Sequence, residues 1–218
     1  MKSNVIDEFN CYSSNNRTNL YTKDNYIKKK LEQIDKIIEE FKPISREETE
    51  PSFVKVKAYN YTLNNGQVQK REQIIKGSKE GSAVIIVPYI GDNLLLVIEP
   101  RVFTKKGVCV GFPAGYIEKD ESPEMAALRE LKEETGLVPN RLVEVDAFYQ
   151  DEGCSSAFNH IFIAYDCKRL YEQNLDPGEY IKYMEFTEKE ADELEKLNYI
   201  NSSNSKLALA KVRERRIK

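Results

Sequence analysis

The 218-residue chain has one histidine, His160, and four cysteines, Cys11, Cys109, Cys154 and Cys167, with no CxxC pair among them. One histidine leaves His-based zinc chemistry and a Ser-His-Asp triad poorly supported. His160 itself lies in a strand-like run, where a structural role is expected. Scattered cysteines read as free thiols and fit a reducing cytoplasm. No apolar run approaches the roughly 18–20 residues of a spanning helix, and no signal-peptide pattern opens the chain, so a cytoplasmic protein without a membrane partner is expected. Charge is nearly balanced: 33 Lys and Arg stand against 36 Asp and Glu, a net charge of −3, and no nucleic-acid partner is expected. There is no internal repeat and no recognisable DNA-binding segment. The remaining composition, 40% hydrophobic and 32% charged, suits a soluble globular protein with one domain and an extension.

The stretch Gly115–Leu137 is where the chemistry concentrates. Ser122 is a candidate N-cap, Pro123 suits the first helical position, Glu124 favours the positive helix end, and Gly136 offers a left-handed stop. Met125, Leu128 and Leu131 recur at three-residue spacing and are read as the apolar face. Glu130, Glu133 and Glu134 stand at i, i+3, i+4, so their carboxylates converge on another face. Taken alone, three such glutamates read as a solvated acidic face. With only Arg129 and Lys132 nearby, the cluster also makes sense around a hard divalent cation, which takes oxygen ligands. The flanking residues favour the second reading. Gly115, Glu121, Arg129, Glu130, Leu131, Glu133, Glu134, Gly136 and Leu137 match the Nudix box at every defined position. The chain therefore resembles the Nudix hydrolase family.

Along the chain, residues 1 to about 23 read as a loosely attached lead. An amphipathic helix is expected over 24–42. Its apolar stripe of Ile27, Leu31, Ile34, Ile37, Ile38 and Phe41 needs cover, from the main domain, from another subunit or, less simply, from a membrane surface. Residues 1–50 are read as an N-terminal extension and 51–218 as the hydrolase domain. A hairpin is expected over 53–75, turning at Asn64-Asn65-Gly66. Ser82–Tyr89 and Leu94–Ile98 read as strands buried on both faces. Arg141–Tyr149, Phe158–Tyr165 and Glu179–Phe186 read as further strands, with closing helices over 188–197 and 205–216. The basic tail of Arg213, Arg215, Arg216 and Lys218 is read as a solvated helix end.

The resemblance implies an α+β fold, the Nudix α/β/α sandwich around a central mixed sheet. The Pro113-Ala114-Gly115 triplet is similar to the ADP-ribose pyrophosphatase branch. That branch implies divalent-metal-dependent hydrolysis of a nucleoside diphosphate linked to another moiety, ADP-ribose or another nucleotide sugar. Hydrolysis of dinucleoside polyphosphates or nucleoside triphosphates is the alternative, and a non-catalytic nucleotide-sugar sensor a second one. By resemblance, Glu130, Glu134 and the carbonyl of Ala114 are metal ligands, with Mg2+ or Mn2+ the ion. Glu133 is a further ligand or the base, and Arg129 orients the glutamates. Arg101 is a candidate substrate contact, its other reading being an exposed arginine at a strand end. Relatives often carry Gly-x-Ser-x-Glu where this chain has Gly153, Ser155 and Ala157, so Asp151 and Glu152 stand as nearby acidic substitutes, Glu152 being a candidate substrate contact with Arg101. The branch also implies a homodimer through the N-terminal sheet.

Overall fold

The computed structural model describes residues 25–77 and 79–216. The lead expected over residues 1 to about 23, Cys11 within it, and Lys218 lie outside the described residues. In chain order the elements are α1 (Asn25–Phe41), β1 (Val54–Thr62), β2 (Val68–Lys76), β3 (Ala83–Ile90), β4 (Asn93–Pro100), β5 (Val108–Gly111), β6 (Ala114–Tyr116), α2 (Pro123–Thr135), β7 (Leu137–Val138), β8 (Arg141–Tyr149), β9 (Phe158–Tyr165), β10 (Lys168–Arg169), β11 (Lys182–Thr187), α3 (Glu188–Lys196) and α4 (Ser203–Arg216). No helix among the described residues is long and apolar enough to cross a membrane.

The apolar runs at 83–90 and 93–100 form the middle of a seven-stranded sheet ordered β11-β4-β3-β9-β8, with β5 beside β4 and β6 beside β3. The sheet is mixed: β9 runs parallel to β3, from Val84↔His160 to Pro88↔Ala164, and its other pairings are antiparallel. Alternation along each strand sorts the core into two layers. Val84, Ile86, Leu95 and Val97 pack with Ala126, Ala127 and Leu131 of α2. Ile85, Val87, Leu94, Leu96 and Ile98 pack on the other side with α1, α3 and α4, including Leu31, Ile34, Leu194 and Leu209. Continuous apolar runs are what such a doubly covered sheet requires, and the result is the α/β/α sandwich.

The stripe on α1 is covered within the chain. Leu31, Ile34 and Ile37 enter the core, with Ile27, Ile38 and Phe41 packed against it. Polar ties hold the helix at its rim: Lys30 Nζ lies 2.8 Å from Glu190, and the Tyr199 hydroxyl donates to Asp35 at 2.7 Å.

Two local expectations are corrected. The buried residues of α2 are Ala126, Ala127, Leu131, Glu134 and Thr135, whereas Met125 and Leu128 are exposed. Three-residue steps retreat about 60° per step, so 125, 128 and 131 fan over about 120°. Positions 127, 131 and 134 stay within about 60° and face the sheet. The last strand also starts at Lys182 rather than Glu179. Glu179 N–H donates to the Asp176 carbonyl at 3.0 Å and the Glu179 carboxylate accepts from Asp176 N–H at 3.1 Å. This turn, with Gly178 at φ 92°, keeps Glu179 and Tyr180 out of the ladder.

The hairpin stands apart. β1 and β2 form their own two-stranded sheet, paired from Val54↔Lys76 to Thr62↔Val68. Every residue of β1 is exposed. Its foot is held where Ile74 N–H donates to the Cys154 carbonyl at 2.7 Å and Gln73 Nε2 donates to Ser156 Oγ at 3.0 Å.

Candidate active site

Helix α2 is built as its sequence demands. Ser122 Oγ accepts from Met125 N–H at 3.2 Å, Pro123 occupies the first turn, and Gly136 adopts φ 70°. Its N–H returns to the Lys132 carbonyl at 2.8 Å. Glycine is required at 136 twice over, by that φ and because a Cβ there would meet the Tyr171 carbonyl oxygen at 2.0 Å.

The helix carries its glutamates to the short strand β6. Glu134 is 4% exposed, and its Oε2 accepts from Ala114 N–H at 3.3 Å. The Glu130 carboxylate lies directly over Gly115, where a Cβ would stand 1.9 Å from its Cδ. Arg129 ties the group together. Its Nε and Nη2 donate to the two oxygens of Glu121 at 2.9 Å each, and Nη2 also reaches the Tyr116 carbonyl at 3.0 Å. Its Nη1 donates to Glu130 at 2.7 Å and to Glu133 at 3.1 Å. A planar guanidinium can serve three carboxylates this way because its five donors are fixed in direction. Glu121 in turn accepts from Glu118 N–H at 3.1 Å, which fixes the entry to the helix.

The sheet adds two carboxylates that the box pattern does not contain. Glu99 continues the alternation of Leu95 and Val97 toward the α2 side, and Glu179 sits at the turn before β11. Their charges are felt at the helix. Burial, then Glu99, Glu130 and Glu179, push the Glu134 carboxyl well above the usual carboxylate range, against the opposing Ala114 N–H. Burial chiefly pushes Glu130 up to about 7; Arg129 opposes it, and Glu133 and Glu179 add to it. Glu99 is also raised, first by burial and then by Glu179, with Arg101 opposing. A group whose members raise one another in this way is short of positive charge. Among the described residues no three acidic, His or Cys groups already form a closed cage; Glu130 and Glu133 are turned toward Arg129 instead.

The other sequence candidates fall at different places. Arg101 ends the site at the β4 side, with Nη2 2.7 Å from Glu99 and its side chain about half exposed. Asp151 and Glu152 are exposed in the β8–β9 turn, whose bonds run to the hairpin. The charges acting most strongly on Glu130 and Glu134 do not include them. Ala157 is fully buried. His160 Nδ1 lies 2.6 Å from Glu144 across β8–β9. Glu99 and Glu179 carry no shared sequence signal, because they sit at different strand ends that the pairing of β4 with β11 brings side by side.

Residues 79–206 match the sequence model of the NUDIX domain. The chain belongs to the Nudix family. It is 34% identical over 130 residues to an ADP-ribose pyrophosphatase of Bacillus subtilis, covering 59% of this chain and 68% of that one. It is 30% identical over 157 residues to a methanol dehydrogenase activator of Bacillus methanolicus, covering 72% and 83%. A crystal structure of an ADP compounds hydrolase superposes with a TM-score of 0.62 at 27% identity, covering 78% of this chain and 96% of that one. The protein is thus a Nudix hydrolase, an enzyme of pyrophosphate-bond hydrolysis similar to the ADP-ribose pyrophosphatases.

Proposed function

We propose that this Nudix hydrolase cleaves the pyrophosphate of a nucleoside diphosphate linked to a sugar, ADP-ribose or a close relative of it. The observation that carries the reading is that Glu134 accepts from Ala114 N–H and Glu130 lies over Gly115, with the charge of Glu179 felt at both and that of Glu99 at Glu134; Glu99, Glu130 and Glu134 are all raised, chiefly by burial. The donor set is hard oxygen throughout, which fits magnesium or manganese. Glu130, Glu133 and Glu134, with the Ala114 carbonyl, would hold it, and once bound such an ion supplies Lewis acidity and charge neutralisation toward a phosphoryl oxygen.

The chain's own groups divide the remaining work. Arg129 holds Glu121, Glu130 and Glu133 in one frame, so the carboxylates are positioned before substrate arrives. Arg101 releases Glu99 to meet a phosphate or the sugar, a bidentate task suited to a guanidinium. Glu179 is exposed beside the buried carboxylates and takes a proton from the attacking water; Glu133 is the alternative base, and Glu152 a more distant contact. Residues 51–218 carry the reaction, residues 1–50 add α1 to its core, and two copies associate through the hairpin.

A panel of nucleotides with magnesium or manganese, with products identified by mass, tests this directly. AMP plus ribose 5-phosphate from ADP-ribose is the expected result; cleavage confined to nucleoside triphosphates or dinucleoside polyphosphates defeats it. Glu134→Gln is expected to lower kcat by about 10²-fold or more. Turnover near the parent level would remove Glu134 from the metal set.

A further inference from the structure

The helix that carries Glu130, Glu133 and Glu134 ends with its carbonyls capped, mostly by one segment. The last carbonyls of an α-helix find no partner within it. Here the Lys132 carbonyl accepts from Gly136 N–H at 2.8 Å, and the Glu133 carbonyl from Asn174 N–H at 2.8 Å. The Gly136 carbonyl accepts from Leu170 and Tyr171 N–H at 3.1 and 3.2 Å. The Thr135 carbonyl accepts from the Arg169 guanidinium, and the Glu134 carbonyl from Gln173 Nε2 at 2.7 Å. Residues 169–174 therefore form a strap that serves every carbonyl from Glu133 to Gly136.

Gln173 also reaches a second element. The same Nε2 donates to the Ile181 carbonyl at 3.1 Å, so one amide joins the end of α2 to the lead of β11. Both partners can only accept, so the side chain must present its NH2 group there. This bond closes a loop from 173 to 181. Leu175 packs against the α2-side core layer and Ile181 is buried in it, while residues 176–180 between them are exposed. Glu179 lies within that exposed stretch. Its carboxylate accepts from Asp176 N–H at 3.1 Å, and its own N–H donates to the Asp176 carbonyl at 3.0 Å. The carboxylate is thus fixed to a turn whose base Gln173 pins to the helix on one side and to the sheet on the other. The charge of Glu179 is felt at Glu130 and Glu134 of that same helix.

We propose that Gln173 is a positioning residue for the hydrolysis, holding the turn that presents Glu179 at a set reach from the carboxylates of α2. This rests on the reading above in which Glu179 takes the proton of the attacking water. Gln173 acts through Glu179 and does not itself meet the reacting atoms.

Gln173→Met keeps the side chain's length and removes its donor, and Gln173→Asn keeps the donor at shorter reach. With the full chain, ADP-ribose and saturating magnesium, each is expected to lower kcat about tenfold, with KM within about twofold of the parent. Glu179→Gln alone is expected to lose about 10²-fold in kcat. In that background neither change at 173 is expected to lower kcat further, because the group through which Gln173 acts is gone. Hydrogen exchange is expected to quicken at the Glu179 amide and to stay unchanged in α2. Manganese binding to the substrate-free chain, read by electron paramagnetic resonance, is expected to match the parent; a loss of about tenfold would route the effect through Glu134 and overturn the proposal. Parent kcat in both single variants, losses that multiply in the double variants, or a chain that folds with neither substitution also overturns it. Glu179→Gln at the parent's turnover defeats the base assignment itself, and the positioning role with it. If the parent cleaves no nucleoside diphosphate derivative, the functional reading fails, while exchange at the Glu179 amide still decides whether Gln173 holds the turn.

Discussion

Gly115 matters for the atoms it lacks. A methyl group there would stand 1.9 Å from both Cδ and Oε1 of Glu130, so Gly115→Ala must push that carboxylate off its position over β6. The obstacle is the far end of a flexible side chain, so the fold can give way where the chemistry cannot. Gly115→Ala is expected to keep the parent's melting temperature within a few degrees and to lose about 10²-fold in kcat, a usual penalty for displacing a reactive group by about 1 Å. Unchanged kcat would show that Glu130 need not sit there. The same residue sets a pH dependence. Burial chiefly raises its folded pKa to about 7 from an ordinary 4.5. Between those values the folded state binds more protons than the unfolded one, so stability falls as pH rises through the window. Without divalent metal, the melting temperature is expected to fall from pH 4.5 to 7, and Glu130→Gln to flatten that slope. Added magnesium is expected to restore more stability at pH 7.5 than at pH 5, since it competes with protons for these carboxylates. A calorimetric series over pH, with and without metal, checks all of this.

At the scale of elements, the site was legible where one segment holds its parts and hidden where several do. Helix α2 was readable from Ser122, Pro123 and Gly136, because caps act locally, and its glutamates follow from spacing alone. Its buried face is hidden in the sequence because Ala126 and Ala127 give weak hydrophobic signals, yet their small side chains suit close packing on the sheet. Glu99 and Glu179 were on view in the sequence without any sign of shared purpose, since strand pairing is a long-range choice made by the whole core. The strands β3, β4, β8 and β9 were plain from their apolar runs, and the short strands β5, β6, β7 and β10, two to four residues each, were too brief to show a period. Helix α1 was legible from its stripe, whereas its partner was not. Ile34 is now seen at 0% exposure in the same layer as Leu94 and Ile98. Ile34→Ala is therefore expected to cost about 2–5 kcal/mol, the range for emptying a packed aliphatic site. Denaturant unfolding measures it; a cost under about 0.5 kcal/mol would mean that α1 covers the sheet only loosely.

For the whole molecule, the sandwich buries both faces of its sheet, and the hairpin buries neither of its own. Val54, Val56, Val68 and Ile74 share one face of β1–β2, while Phe53, Tyr59 and Tyr61 share the other. Val56 and Val68 are each 63% exposed, and Tyr61 is 52% exposed. A two-stranded sheet is marginal in water by itself, and the bonds from Ile74 to Cys154 and from Gln73 to Ser156 anchor this one at its foot. A second copy offers the same apolar faces in reverse order, which is the self-complementary surface a two-fold dimer needs. Light scattering at micromolar concentration is therefore expected to give about twice the 25.2 kDa chain mass. Replacing Val56 and Val68 together by lysine places two charges on one face of the hairpin and leaves the packed core of the sandwich untouched. That double variant is expected to run as a monomer with the parent's melting behaviour. A parent that is already monomeric at those concentrations, or a double variant that stays dimeric, would take the hairpin out of the assembly and leave its exposed valines without a partner.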